Sequence, residues 1–446
     1  MSTLTIAIIA VFCAGYLCIA LESVLKINKA AIALLMCVLC WTLLMLDPAS
    51  YYINVAADNV VHHVAEAIER HLGETAGTLF FLMGAMTIVE IVDSNGGFNF
   101  VRDTMKTRSK RKLMWRMAFM TFFLSAILDN LTTSIVMIMV LRKLVQDKKD
   151  RLWYAALVIV AANSGGAFSP IGDVTTIMLW IKGVITTQGV ITEIFIPSLI
   201  SMLIPAFIIS MHLKGQFDKK DNQPKSGASQ FTKRQRRTIF FLGVGGLVFV
   251  PIFKTITHLP PFMGILLVLG ILWTVTEIFH YDLEEHDTMG KRVSDIMTKI
   301  DLSTIMFFLG ILMAVAVLSE VGVLTALGET LNDTFNGNHY LVTGIIGVLS
   351  SIVDNVPLVA GCMGMYPVAA TGDTAVDGIF WQLLAYCAGV GGSMLIIGSA
   401  AGVVVMGLEK ITFGWYMKRM TWIVFVGYVA GIFSYWLLRT FILVNP

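Results

Sequence analysis

Apolar runs of about 20 residues follow one another along almost the whole 446-residue chain, separated by short polar or charged gaps. A hydrocarbon core about 30 Å thick takes roughly 20 helical residues to cross, so these runs predict transmembrane α-helices. The pattern places crossings near residues 4–23, 29–46, 76–93, 152–187 and 190–213, then near 238–256, 262–280, 301–320, 378–409 and 421–441. Residues 117–141 are apolar too, but strongly basic segments flank them on both sides, and a single crossing would strand one of these on the wrong face. A re-entrant hairpin resolves the conflict: two arms of 11 or 12 residues, each reaching roughly 17 Å, pass just beyond the mid-plane. Asp129-Asn130 is its tip. A matching hairpin spans 340–370 around Asp354-Asn355-Val356-Pro357, with Pro357 suited to the first turn of the returning arm. Residues 50–72, which carry His62, His63, Glu66, Glu69, Arg70 and His71, are too polar to cross and read as an outer interfacial helix.

The hairpin tips are 225 residues apart, and they are not the only features that recur. Gly165-Gly166 and Gly172 return as Gly391-Gly392 and Gly398 at an offset of 226, and Thr78-Leu79-Phe80-Phe81-Leu82-Met83-Gly84 is answered at that offset by Thr304-Ile305-Met306-Phe307-Phe308-Leu309-Gly310. A shared register across four landmarks indicates duplication, with repeats at 1–213 and 238–446 joined by a polar, basic linker at 214–237. The runs 152–187 and 378–409 are interrupted by glycine and polar residues at 163–173 and 389–402, and read as broken helices. Non-helical backbone at membrane depth is tolerated where protein or a water-filled cavity satisfies it, so these breaks should line a site. The expected fold is an all-α polytopic membrane protein of two inverted-topology repeats of about five transmembrane helices, each with a re-entrant hairpin and a broken helix.

Composition agrees with a membrane body: 56% of residues are hydrophobic and 14% charged, with mean hydropathy +0.77, which excludes a soluble globular fold. Charge carries the orientation. Seven Lys or Arg fall in 102–116, five in 142–151 and eight in 214–237, whereas 300–409 has none and places Glu320, Glu329, Asp333, Asp373 and Asp377 in its gaps. Basic loops stay cytoplasmic, so the linker lies inside and both termini outside. The six cysteines all sit in apolar segments and imply no disulfide; Cys37 and Cys40 read as packing. Residues 4–23 lack a preceding basic region and are expected to be kept as a span.

A carboxylate at the bilayer centre costs about 2.5–3.5 kcal/mol, so one placed there in both halves calls for a use. Two tips and two breaks meeting at the mid-plane would gather Asp129, Asn130, Asn163, Ser164, Ser169, Asp173, Thr175 and Thr176 with Asp354, Asn355, Ser393 and Ser399, all oxygen donors. Hard cations take such ligands, and no Lys or Arg lies in these motifs to hold an anion. One desolvated carboxylate can hold a proton or a metal ion but disfavours both together, and this competition is sufficient for exchange. Asp129 or Asp173 is the candidate shared carrier and Asp354 the partner carboxylate; Glu74 and Glu90 are candidates for a proton path. The blander reading of Asp-Asn is a helix cap, and of buried Asn, Ser and Thr interhelical hydrogen bonding.

At these residues the chain resembles the NhaD-type sodium/proton antiporters of the ion transporter superfamily. The resemblance runs nearly the whole length and is most specific at Gly84-Ala85-Met86-Thr87-Ile88-Val89-Glu90, Ser125-Ala126-Ile127-Leu128-Asp129-Asn130-Leu131-Thr132-Thr133, residues 163–176 and Val353-Asp354-Asn355-Val356-Pro357. It implies Na+ or Li+ extrusion coupled to H+ uptake by alternating access, in a homodimer in the cytoplasmic membrane, with Na+ at Asp129, Asn130, Asn163 and Asp173 and further ligands at Thr175 and Thr176. The second half departs from the first: Ser399 stands where Asp173 would repeat, and Ala388 and Gly389 where Asn163 and Ser164 would. Related branches carry dicarboxylates with sodium, which is the alternative; a cation channel is a second, and the broken-helix pattern argues against it. No Walker motif and no nucleophile–base arrangement is present, so no ATP, cofactor, nucleic-acid partner or enzymatic activity is expected.

Overall fold

A computed structural model describes residues 2–52, 59–98, 104–105, 107–213, 215–217, 231–284, 293–352 and 354–442. Among these there is no β-strand, and seven helices are long and apolar enough to cross a membrane. In chain order the helices are α1 (Thr3–Ala20), α2 (Glu22–Leu25), α3 (Lys29–Leu46), α4 (Val60–Ser94), α5 (Lys110–Leu128), α6 (Asn130–Leu144), α7 (Lys148–Ala167), α8 (Val174–Lys182), α9 (Thr187–His212) and α10 (Lys233–Thr257). They continue as α11 (Pro261–Glu284), α12 (Val293–Met297), α13 (Leu302–Glu320), α14 (Val323–Thr334), α15 (His339–Leu349), α16 (Asn355–Met365), α17 (Ile379–Gly391), α18 (Ala400–Glu409), α19 (Phe413–Arg419) and α20 (Thr421–Phe441). Most of the linker 214–237 lies outside the described residues, as do residues 53–58 of the interfacial segment and Val353 of the second tip.

The centre of the body is α7 and α17. Every residue of 154–167 and of 380–391 is buried, the all-round burial expected of a helix with no polar face. Around them α5, α6 and α9 pack on α7, α15 packs on α17, α9 runs along α20 and α13 along α3. All six cysteines are free, and the Cys40 thiol lies 4.0 Å from the Ile8 carbonyl across the α1–α3 contact.

One expected boundary is corrected. Residues 60–72 do not form a separate interfacial helix but are continuous with the span that follows, in the 35-residue α4. No proline or capping residue separates the two stretches, and Gly73 alone costs a helix only about 1 kcal/mol. At about 52 Å, α4 is longer than a hydrocarbon core. Its polar first turns therefore project beyond the apolar body, with His62, Glu66, Glu69 and Arg70 exposed. Arg70 and His71 instead converge on Glu320 at the end of α13, at 2.6 and 2.8 Å, where the Tyr52 hydroxyl also donates at 2.7 Å.

Local packing recurs between the halves. A Cβ on Gly165 would lie 2.1 Å from the Phe122 carbonyl oxygen, and one on Gly391 would lie 2.2 Å from the Gly347 carbonyl oxygen. A Cβ on Gly172 would meet the Ser125 carbonyl at 2.8 Å, and one on Gly398 the Ser351 carbonyl at 2.5 Å. Ser125 Oγ donates to the Ala162 carbonyl at 2.6 Å and Ser350 Oγ to the Ala388 carbonyl at 2.8 Å. The repeated glycines thus allow backbone to touch backbone where each helix–turn–helix meets its broken neighbour.

Gly165→Ala should lower the melting midpoint in detergent, at a cost of at least about 1–3 kcal/mol for forcing a carbon into occupied space. A Cβ on Gly73 would meet no neighbouring atom within 4 Å, so Gly73→Ala should raise the midpoint, through a stabilisation of up to about 1 kcal/mol. Tryptophan-fluorescence melts of both variants check this; coincident melting of G165A and the parent protein would show that α5 and α7 do not touch there.

Candidate cation site

Four short helices begin inside the apolar body, and each begins on a side chain that caps it. Asp129 accepts the Thr132 N–H at 2.7 Å to start α6, Asp173 the Thr175 N–H at 3.1 Å to start α8, Asp354 the Val356 N–H at 3.4 Å to start α16, and Ser399 the Gly402 N–H at 3.2 Å to start α18. The first N–H groups of a helix have no partner within it, and an apolar interior offers few others, so a capping oxygen at each of these ends follows from the break itself. The capping reading of Asp-Asn is therefore correct as geometry, and it leaves most of each carboxylate's lone pairs for other partners.

Asp129 differs from the other three caps. Its backbone sits at φ +80°, ψ 159°, a region almost confined to glycine and costing about 1–3 kcal/mol for a side-chain-bearing residue. The carboxylate takes a second local donor, Thr132 Oγ1 at 2.8 Å. A cavity of about 20 Å³ reaches it, walled by Phe81, Leu82, Leu128, Ile171 and Ile177 among others; this is room for about one water or a bare ion. Asp354 has an ordinary backbone, at φ −50°, ψ 131°.

The amides join these ends. Asn130 Nδ2 donates to Asp173 Oδ2 at 2.9 Å and to Asn163 Oδ1 at 3.0 Å; Asn163 Nδ2 donates in turn to Ser393 Oγ and Ser399 Oγ, both at 2.9 Å. One continuous network thus runs from the α5–α6 turn through both helix breaks. Thr175 and Thr176 are fully buried beside it. The Thr176 and Thr133 hydroxyls have no hydrogen-bond partner among the described residues, so unspent oxygens lie next to the carboxylates. Gly389 brings α17 close: a Cβ there would sit 3.5 Å from Asp173 Oδ2. Ser164 turns away to Ser201 Oγ at 2.9 Å, and Ser169 is buried in the break without joining the amides.

Asp354 takes a partner that the motifs did not reveal. Lys29, the first residue of α3, places Nζ 2.9 Å from Asp354 Oδ2. The motifs hold no Lys or Arg, but the fold supplies one from 325 residues away. Its neighbour Asn355 is buried. Glu74 is exposed and pairs with Lys182 at 3.3 Å, and Glu90, near the other end of α4, pairs with Lys299 at 2.9 Å. Thr132, Thr133 and Gly389 lie in the sequence motifs but were not among the candidate ligands, and Lys29 was missed; Thr132 stands three beyond the Asp at a helix start, but no local pattern marks Lys29.

The ends of α8 and α18 are unlike. A cavity of about 450 Å³ lies beside α8, lined by His71, Glu74, Thr78, Met178, Lys182 and Gly364 among others. At the end of α18 the fully buried Glu409 carboxylate is clamped by Arg142 Nε at 2.7 Å and Arg151 Nε at 2.6 Å, and Arg142 also reaches the Leu408 carbonyl. Arg142 ends α6 and Arg151 begins α7, so this clamp binds α18 to both.

An apolar helical body whose broken helices present buried carboxylates and unpaired hydroxyls to one another has the architecture of a membrane transporter. Residues 16–384 match a family model described as "Citrate transporter". The chain is 44% identical over 431 residues to "Sodium/proton antiporter 1" of Arabidopsis thaliana, covering 96% of this chain and 72% of that one. It is 31% identical over 460 residues to "Na(+)/H(+) antiporter NhaD" of Alkalimonas amylolytica, covering 95% and 88%, and 30% identical over 470 residues to the protein of that name from Vibrio cholerae, covering 98% and 92%. The chain belongs to this citrate-transporter family and, within it, to the NhaD-type antiporters, as the motifs at Asp129 and Asp354 imply.

Asn130→Asp should destabilise the protein more than Asn130→Ala. Alanine removes two hydrogen bonds, but aspartate turns a donor into an acceptor within 2.9 Å of Asp173, where like charges repel. Melting midpoints of the two variants at neutral pH check the order.

Proposed function

We propose that the chain exchanges Na+ for H+ across the cytoplasmic membrane, taking up protons and extruding sodium, with Li+ as a second substrate. The observation that carries this reading is that Asp129 and Asp173 are joined through Asn130 and form no ion pair among the described residues. A buried carboxylate without a counter-ion needs either a proton or a cation, and the two exclude each other at one site. The proposed ligands are Asp129, Asn130, Asn163, Asp173, Thr175 and Thr176, with Asn355, Ser393 and Ser399 from the second half. Named relatives that the chain matches over most of its length are sodium/proton antiporters, which supports the same substrates.

In this reading residues 1–213 and 238–446 are inverted repeats joined by a cytoplasmic linker at 214–237, and the turns at Asp129 and Asp354 are tips of re-entrant hairpins. The shared packing at Gly165 and Gly391 supports duplication, and opposite flanking charge supports opposite entry. The clamp of Glu409 by Arg142 and Arg151 then lies at the basic, cytoplasmic side and holds that path shut, while the 450 Å³ cavity beside α8 is the outward path. Alternating access would open the first and close the second. Glu74, facing that cavity, and Glu90 would relay protons. An organic anion fits the site poorly, because Lys29 is already engaged and, among the described residues, no other cationic group is hydrogen-bonded in the network.

In proteoliposomes with an inside-acid gradient, Na+ or Li+ should dissipate the gradient, and succinate or citrate should not. Asp129→Ala and Asp173→Ala should insert normally and lose exchange by at least about 100-fold, as for removal of an essential proton carrier. Parent-like rates in both variants, or sodium flux driven by citrate and indifferent to pH, would overturn the reading.

A further inference from the structure

We propose that Lys29 is a tethered cation occupying the second-half tip, so that the transported cation binds at the first-half carboxylates alone, one per chain. This deepens the cation-exchange reading and rests on it. The two tips begin alike, Asp129-Asn130-Leu131 and Asp354-Asn355-Val356, and diverge at the fourth residue, Thr132 against Pro357. Thr132 gives Asp129 both its N–H, at 2.7 Å, and its hydroxyl, at 2.8 Å. Proline has neither donor, which leaves Asp354 only the long 3.4 Å bond from Val356. The ammonium of Lys29, at 2.9 Å, meets the carboxylate that Pro357 cannot.

The ammonium is positioned from several sides. Asn28 caps α3 through the Ala30 N–H at 2.8 Å and is tied to Ser303 of α13 at 2.8 Å, and the Lys29 N–H is held by Glu22 Oε1 at 3.2 Å. Nζ itself lies 4.2 Å from the centroid of the Phe307 ring, a favourable seat for a cation. The two side chains keep 25% and 18% of their exposure, so the charge pair is partly shielded from water and salt. A sodium ion arriving at Asp354 would have to displace a charge whose local concentration is set by a covalent tether, and would leave a half-buried ammonium unpaired. Among the described residues the first-half tip has no such occupant. Lys254, 225 residues on from Lys29, bonds the Trp180 carbonyl at 2.9 Å and covers the Trp180 ring, at the far end of α8 from Asp173. The asymmetry of the amide network agrees: Asn130 links to Asp173 and Asn163, while the corresponding break in the second half offers Ser399 in place of a carboxylate.

The test is the number of radioactive sodium ions bound per chain in purified, detergent-solubilised protein, by equilibrium dialysis. The parent should bind one and Asp173→Ala none. Lys29→Gln should bind two, the second being lost in the double variant Lys29→Gln/Asp354→Asn, which should return to one. Because Lys29→Gln leaves a half-buried carboxylate unpaired and could fail to fold, the parent and the double variant decide the matter without it: one ion bound by each supports the proposal, and two in the parent or a lower count in the double variant overturns it. A folded Lys29→Gln protein that still binds one ion also overturns it. A parent that binds no sodium would sink the exchange reading itself, a different outcome.

Discussion

Helix ends buried in an apolar body must find partners for their free N–H groups inside the protein. Among the described residues four helices begin in the interior, and the residue that solves the problem at each is also the residue that can do chemistry: Asp129, Asp173, Asp354 and Ser399. A cap needs a single oxygen, and a carboxylate brings two with a negative charge beside the positive end of a helix dipole. Capping therefore concentrates charge-bearing oxygens at the four breaks, and the amides of Asn130 and Asn163 tie three of these ends into one network.

The halves repeat their packing but divide their chemistry. Backbone-to-backbone contacts at Gly165 and Gly391 and the serine bonds at Ser125 and Ser350 match closely. At the tips, one residue changes the electrostatics. Thr132 satisfies Asp129 locally while leaving its charge uncompensated; Pro357 leaves Asp354 short of donors, and a lysine from α3 supplies charge and hydrogen bond together. Backbone strain falls on the same side as the uncompensated charge, at Asp129. Such strain persists only where surrounding structure fixes it, here Thr132 beyond the tip and the Gly165 and Gly172 contacts with α5.

Asymmetry extends to the ends of the matching helices α8 and α18. One faces a cavity of about 450 Å³, with an exposed Glu74–Lys182 pair at 3.3 Å; the other ends in a carboxylate buried under two arginines. A buried charge with two charge-assisted bonds is costly to separate, whereas an exposed pair is worth little. The two ends of the body therefore differ in how strongly their helices are tied together.

Much of this was legible in the amino-acid order. Apolar run length determined the helices, because a hydrocarbon core sets their length, and the common offset of Asp-Asn and glycine pairs marks the turns and breaks where α6, α8, α16 and α18 begin. Asp129, Asn130, Asn163 and Asp173 could be named because a polar residue in an apolar run is expensive and thus conspicuous. Tertiary structure alone decided which of them touch. The separation of 50–72 from the next span failed because polarity says where a helix leaves the membrane, not where it ends, and α4 runs on through Gly73. Ser164 looked equal to its neighbours and bonds Ser201 instead, since helix rotation is set by packing against α9. Lys29 sits at the head of an ordinary span and meets Asp354 across 325 residues; local sequence cannot encode that pairing, because the distance between them is set by how α3 packs on α13.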